Sequence, residues 1–423
     1  MSTETLAGAA QTHGSLPRFP GLREDYRRIF VEEWSPYVGA LLLVLIVLAL
    51  MTSGLFWGVF GGVKYWGDRL NSVLGLAPLL GIAEAKEGLL GHRMSLMNIL
   101  LVAGAFTAAL LSGQFAVNRP PKLEYVWAAL GGSLMGIGAS LAGGCTTGGF
   151  FNPIVHASPA GWAMWLGLIG GAVVGLKALL WTLENVEWGT TPPSAFVLPA
   201  AVRRLFPVIG FAVIVAVIAW SASWWTSPDK QLAARAVIVV AGFAIGFVMH
   251  RSRLCFARSI REPFMTAEGT MTKAVILALA VAMPLAALLF RAKVIDPYVA
   301  IPATFWIGSL VGGLIFGFGM VFAGGCASGA LWRMGEGHLK LWVAMLFFAW
   351  VGSIASALFK KIGLTAIDET NVETWEITAV GRQAFLPDML GSWAWALAIG
   401  YALLALWYAV VRWNETTEKL TVL

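Results

Sequence analysis

The sequence predicts an all-α integral membrane protein: about ten transmembrane helices plus short re-entrant helices, arranged as two pseudo-symmetric, inverted halves. Three observations predict it. Of the 423 residues, 58% are hydrophobic and 12% charged, a balance that soluble domains do not show. Apolar runs long enough to cross a bilayer recur along the whole chain. One glycine-cysteine motif occurs twice, as LAGGCTTGG from Leu141 and as FAGGCASGA from Phe322.

Residues 1–36 are polar, carry Pro17, Pro20 and several arginines, and lack the basic start, apolar core and cleavage site of a signal peptide. They read as a cytoplasmic tail with a short amphipathic helix around Leu22–Glu33. The first half, 37–183, holds spans near 37–54, 97–114, 123–142 and 160–182. The stretch GLFWGVFGGVKYWGDRL (54–70) is too apolar for a loop and too interrupted for a span, so it reads as a re-entrant helix. The pieces after Cys145 and after Cys255 read similarly. A linker, 184–231, carries a connecting span near 205–224. The second half, 232–390, holds spans near 232–250, 272–290, 303–322 and 340–359, and a last span near 391–412 opens the closing segment 391–423.

The formal charge of +6 and pI near 9.3 suit cytoplasmic loops rich in Lys and Arg, and are no argument for nucleic-acid binding. Arg251, Arg253, Arg258 and Arg261 are the clearest cytoplasmic cluster, while Lys64, Arg69, Lys86 and Arg93 work against that orientation. With an inside N-terminus, the Cys145 turn faces outward and the Cys326 turn inward. The 48 glycines let helices approach closely, with Gly132-xxx-Gly136 and Gly313-xxx-Gly317 as contact seams. Most of the 20 tryptophans are expected to anchor at interfaces or pack.

The two motifs align without a gap. Shifting residues 131–148 by 181 positions gives nine identities in eighteen, with Cys145 on Cys326 and Gly144 on Gly325. Consecutive glycines let a helix end and the chain reverse. Irregular backbone at membrane depth is tolerated where it is buried in protein or lines a cavity. A cysteine there stays a neutral thiol, a soft, polarisable weak donor that does not repel an anion. Thr146, Thr147 and Ser328 add hydroxyls beside it. Packing alone explains one buried cysteine; two in a duplicated turn favour a functional reading.

The third cysteine sits in HRSRLCFARSIRE (250–262). As a helix, this stretch places Arg251, Cys255, Arg258 and Glu262 on one face, a cationic surface that draws an anion, or alternatively a topogenic cluster with an incidental thiol. The corresponding place in the first half, near Tyr65–Gly67, has no cysteine. His156, Arg333, Glu336 and His338 follow the two turns and read as solvated loop residues, with a gating role as the alternative, and Lys177 reads as an interfacial snorkeller. The chain has no P-loop, no dinucleotide fingerprint and no metal-type spacing of cysteines or histidines, and so implies no cofactor or metal.

IGASLAGGCTTGGFF, GFVMHRSRLCFARSIRE and FGFGMVFAGGCASG together resemble the YeeE/YedE family of prokaryotic membrane proteins, over most of residues 37–412. The resemblance implies import of thiosulfate or a related sulfur compound across the plasma membrane, through a path on which Cys145, Cys255 and Cys326 hand the anion along by S–H contacts. Segment 54–70 looks closer to the YedE branch, which points to a selenium compound as the alternative cargo. The family also implies a small TusA-like sulfur-carrier protein as partner; the tail after Trp413 is too short to be one. The expected function is therefore non-enzymatic transport of a small sulfur-containing anion. A membrane sulfurtransferase or thiol redox enzyme is the alternative.

Overall fold

The computed structural model describes residues 20–83, 87–186, 194–367 and 376–422. The polar tail before residue 20 and Lys86 lie outside them. The first half runs α1 (Pro36–Thr52), short α2 (Phe60–Val73), α3 (Arg93–Leu111), α4 (Lys122–Ala142), a wide helical turn (Thr146–Phe151) continuing into Asn152–Val155, and α5 (Pro159–Asn185). Helix α6 (Phe206–Trp225) connects the halves. The second half runs α7 (Lys230–Ser252), short α8 (Phe256–Met265), α9 (Thr270–Arg291), α10 (Ile307–Ala323), short α11 (Ala327–Glu336) and α12 (Leu339–Lys361), and α13 (Trp393–Thr417) closes the chain.

Among the described residues, nine helices are long and apolar enough to cross a membrane. Helix α1 makes a tenth when joined to Gly21–Val31, from which it bends by 77°. This agrees with the ten spans read from the sequence and with an all-α multi-pass membrane protein. The re-entrant pieces read after residue 54, Cys145 and Cys255 are short helices. Long helices start where the sequence supplies a cap: Ser35 and Ser158 each precede a proline and accept a backbone N–H, and Asp229 accepts that of Gln231.

Glycine sets the packing. Helices α4 and α10 cross through glycines that face backbone. A Cβ on Gly138 would stand 2.6 Å from Gly312 O, and one on Gly319 would stand 2.7 Å from Gly131 O. As residue numbers rise in one helix they fall in the other, so the two are antiparallel. On its other side, α4 packs along α12, with a Cβ on Gly136 2.7 Å from Gly352 N. Likewise α10 packs along α5, with Cβ atoms on Gly313 and Gly317 each 2.5 Å from the carbonyls of Met164 and Leu168. The GxxxG seams therefore form helix contacts, the arrangement that van der Waals packing in lipid rewards. The same reciprocity joins α1 to α9 and α3 to α7.

The N-terminal face of the bundle collects the start of α1 and the ends of α3, α7, α11 and α13. Gly39 abuts Ser252, Ala116 N–H donates to Glu336 O (3.3 Å), and Lys273 of α9 pairs with Glu415 of α13 (2.7 Å). Two small antiparallel strand pairs, Val117–Arg119 with Ser194–Phe196 and Ile377–Thr378 with Gly381–Arg382, tie loops.

Candidate functional site

Four short helical segments start in the core, and their cap residues are Val59, Cys145, Cys255 and Cys326. All three cysteines of the chain therefore occupy one structural position. Each has extended backbone, and its carbonyl accepts the first helical bond: Gly149 N–H to Cys145 O (2.7 Å), Ser259 N–H to Cys255 O (3.2 Å) and Ala330 N–H to Cys326 O (2.7 Å). The three cysteine side chains are buried.

The turn before each duplicated cysteine is made by the first glycine of the pair. Gly143 (φ +70°) and Gly324 (φ +85°) are left-handed and end α4 and α10, a geometry that suits residues without Cβ. Gly144 and Gly325 carry no such angle. Gly144 is needed for close approach, since its Cβ would lie 2.6 Å from Gly148 C, whereas nothing stands closer than 3.8 Å at Gly325.

Around Cys145, the Sγ lies 3.1 Å from Thr147 Oγ1, and Val59 N–H donates to that same hydroxyl (3.3 Å). Around Cys326, Sγ lies 3.7 Å from Ser328 Oγ and 3.9 Å from Cys255 Sγ. The shift of 181 places Thr147 on Ser328, and the shared cap position places Val59 on Cys255. The two clusters are thus chemical variants of one arrangement.

This corrects several expectations. Of the two hydroxyls expected beside Cys145, only that of Thr147 meets its sulfur, two residues past the cap and turned back over it. Thr146 Oγ1 is buried with no hydrogen-bond partner among the described residues. The first-half counterpart of Cys255 is Val59, not the segment Tyr65–Gly67. Arg251, Cys255, Arg258 and Glu262 do not share a helical face. Arg253 adopts a left-handed conformation (φ 54°) that ends α7, and a new helix begins at Phe256. Arg251 donates instead to Glu32 O and to Gln114 Oε1 (3.4 Å), fastening the N-terminal segment, and Arg258 pairs with Glu262.

Nor are the polar residues after the turns solvated loops. His156 is buried and its Nδ1–H donates to Asn152 O (2.8 Å). Glu336 is buried at the end of α11, 2.7 Å from Arg253 Nη1 and 3.3 Å from His338 Nε2. Arg333 Nη1–H donates to Gly324 O (3.1 Å), bracing the turn before Cys326. Lys177 is exposed on α5, as snorkelling requires.

Between the two cysteine clusters lies a plug of aromatic side chains. Phe256 packs against Phe151 (ring centroids 5.4 Å apart), Trp57 (6.1 Å) and Phe150 (6.2 Å), all buried. Trp57 and Trp332 are core residues rather than interfacial anchors, and neither indole N–H has a hydrogen-bond partner among the described residues. The ingredients are buried thiols and hydroxyls, orphaned N–H and O–H groups, and the backbone N–H dipoles of helix starts. Together they can stabilise a small polarisable anion in an apolar setting. Among the described residues, no group of three or more His, Cys, Asp or Glu could hold a metal ion.

Broken helices whose ends meet in the core of a membrane bundle are the architecture of a transport protein. A family model described as sulphur transport matches residues 10–174 and 251–422, leaving out the end of α5, the whole linker with α6, and all but the last two residues of α7. The chain belongs to this family, the YeeE/YedE family, and is a sulfur-compound transporter. It is 30% identical over 314 residues to the probable transporter YedE of Salmonella typhimurium, covering 71% of this chain and 73% of that one. The YedE of Escherichia coli matches to the same extent. The thiosulfate transporter TsuA of Spirochaeta thermophila is 36% identical over 110 residues, 26% of this chain and 33% of its own.

Proposed function

We propose that this chain imports thiosulfate through a path lined by its three cysteines. The observation that carries the reading is that Cys145, Cys255 and Cys326 all cap short helices in the core, two of them 3.9 Å apart. The anion enters past Cys145 and Thr147, crosses the aromatic waist, and leaves past Cys326, Ser328 and Cys255 on the N-terminal face, which is cytoplasmic. A cationic inner face with Arg253, Arg258, Arg261, Arg333 and Lys340 supports that orientation. The reciprocal, antiparallel packing of α4 and α10 supports two inverted halves with a site at their junction. The relatives named as thiosulfate transporters support the cargo.

No covalent step is needed. Each S–H or O–H contact contributes about 0.5–1.5 kcal/mol, enough to replace part of the lost hydration and weak enough to release. Uptake of labelled thiosulfate into proteoliposomes holding only this chain tests the reading. Competition by thiosulfate but not by sulfate supports it, and stronger competition by a selenium oxyanion would reassign the cargo. The Cys255–Cys326 distance favours a second reading, a thiol redox enzyme that forms a disulfide in turnover. Serine in place of Cys255 would then abolish activity, whereas a hydrogen-bonding relay retains part of it.

A further inference from the structure

The internal repeat pairs more than the cysteines. Trp57 precedes the cap Val59 by two residues, and Arg253 precedes the cap Cys255 by two. Phe151 follows Cys145 by six, and Trp332 follows Cys326 by six. The structure brings these counterparts together in the same way in both halves. Trp57 and Phe151 meet edge to face with centroids 6.4 Å apart, and the Arg253 guanidinium lies over the Trp332 ring, 5.5 Å from its centroid. One contact is an apolar pair buried in the core; the other is a cation on an aromatic face.

We propose that the second of these contacts, Arg253–Trp332, is a gate of the path on the inner side of Cys255 and Cys326, while its counterpart Trp57–Phe151 belongs to the aromatic waist that also holds Phe256. This rests on the transport reading above. The gate carries a latch that the waist contact lacks. Arg253 donates Nε–H to Glu33 (2.9 Å), Nη1–H to Glu336 (2.7 Å) and Nη2–H to Gln114 (2.9 Å). These three partners come from the N-terminal segment, the end of α11 and the loop after α3. One side chain thus ties the short helix bearing Cys326 to two fixed elements, and Arg333 backs Trp332 on the same ring at 5.2 Å. Arg253 is partly exposed while Cys255 and Cys326 are buried, so Arg253 lies outward of the thiols it covers. A guanidinium over an indole contributes about 0.5–2 kcal/mol, so breaking the contact is compatible with repeated opening.

The test is site-resolved labelling of the three native cysteines by a membrane-impermeant thiol reagent, applied to each face of sealed vesicles holding the full chain. In the wild type all three react slowly. Arg253→Ala should raise labelling of Cys255 and Cys326 at least tenfold from the N-terminal face and leave labelling from the other face unchanged. Trp332→Phe, which keeps the core filled, should raise it several-fold from the same face. Rates that stay at the wild-type level, or that rise equally from both faces, would overturn the assignment. Because labelling needs no cargo, a failure of thiosulfate uptake would refute the transport reading and leave this result to stand or fall separately.

Discussion

Gly329→Ala tests whether the paired thiols form a waypoint. A methyl on Gly329 would stand 2.7 Å from Cys255 Sγ and 3.2 Å from Cys326 Sγ, roughly 1 Å inside ordinary contact. Each thiol turns on a single bond, so both can yield, but only by swinging apart and losing their mutual contact. An off-rotamer side chain costs about 0.5–1.5 kcal/mol, which puts the total near 1–3 kcal/mol for the two thiols. Most of that is local, so the fold survives. If the anion passes between these sulfurs, the same energy is added to its barrier, and uptake slows by about 5- to 160-fold at 1.36 kcal/mol per decade. The repeat supplies the control: a Cβ on the counterpart Gly148 meets nothing within 4 Å. Gly148→Ala should transport within about twofold of wild type, as a change away from packed features does. Initial rates of labelled thiosulfate uptake at matched protein content, with a thermal midpoint for each variant, decide it. Wild-type rates in Gly329→Ala, or equal losses in both variants, would refute the reasoning.

Thr147→Val leaves Val59 N–H buried without an acceptor and should cost about 1–3 kcal/mol in unfolding experiments, while Thr147→Ser restores most of it. Thr146→Val removes a hydroxyl that bonds to none of the described residues; it should leave the thermal midpoint unchanged and lower uptake, if a passing anion uses that group. Gly317→Ala places a methyl 2.5 Å from Leu168 O between α10 and α5, an overpacking cost of about 1–3 kcal/mol visible as a lower midpoint. Gly170→Ala, which meets nothing within 4 Å, should leave the midpoint where it was.

The spans were legible because lipid imposes a length of apolar sequence that few other requirements mimic. Helices α4, α5 and α12 begin within a residue or two of their sequence-based bounds. Thr147 was legible beside Cys145, and the shift that aligned the cysteines puts it on Ser328. Val59 was not: 54–60 and 250–256 share no motif, and their equivalence is visible only as a common position at the start of a short helix. The break at Arg253 escaped because left-handed backbone was expected of glycine, and here an arginine held by Glu33, Glu336 and Gln114 adopts it. Glu336 looked like a loop residue because its principal partner lies 83 positions away. Polar burial depends on partners that the local sequence does not name.

The central claim is that the duplicated glycine-cysteine turns form the conduit. The most direct measurement is uptake of radiolabelled thiosulfate into proteoliposomes containing only this chain, beside Cys145→Ala and Cys326→Ala. The account predicts uptake by the wild type and its loss in both variants, with thermal midpoints unchanged. Undiminished uptake in both variants would return the cysteines to packing and contradict it.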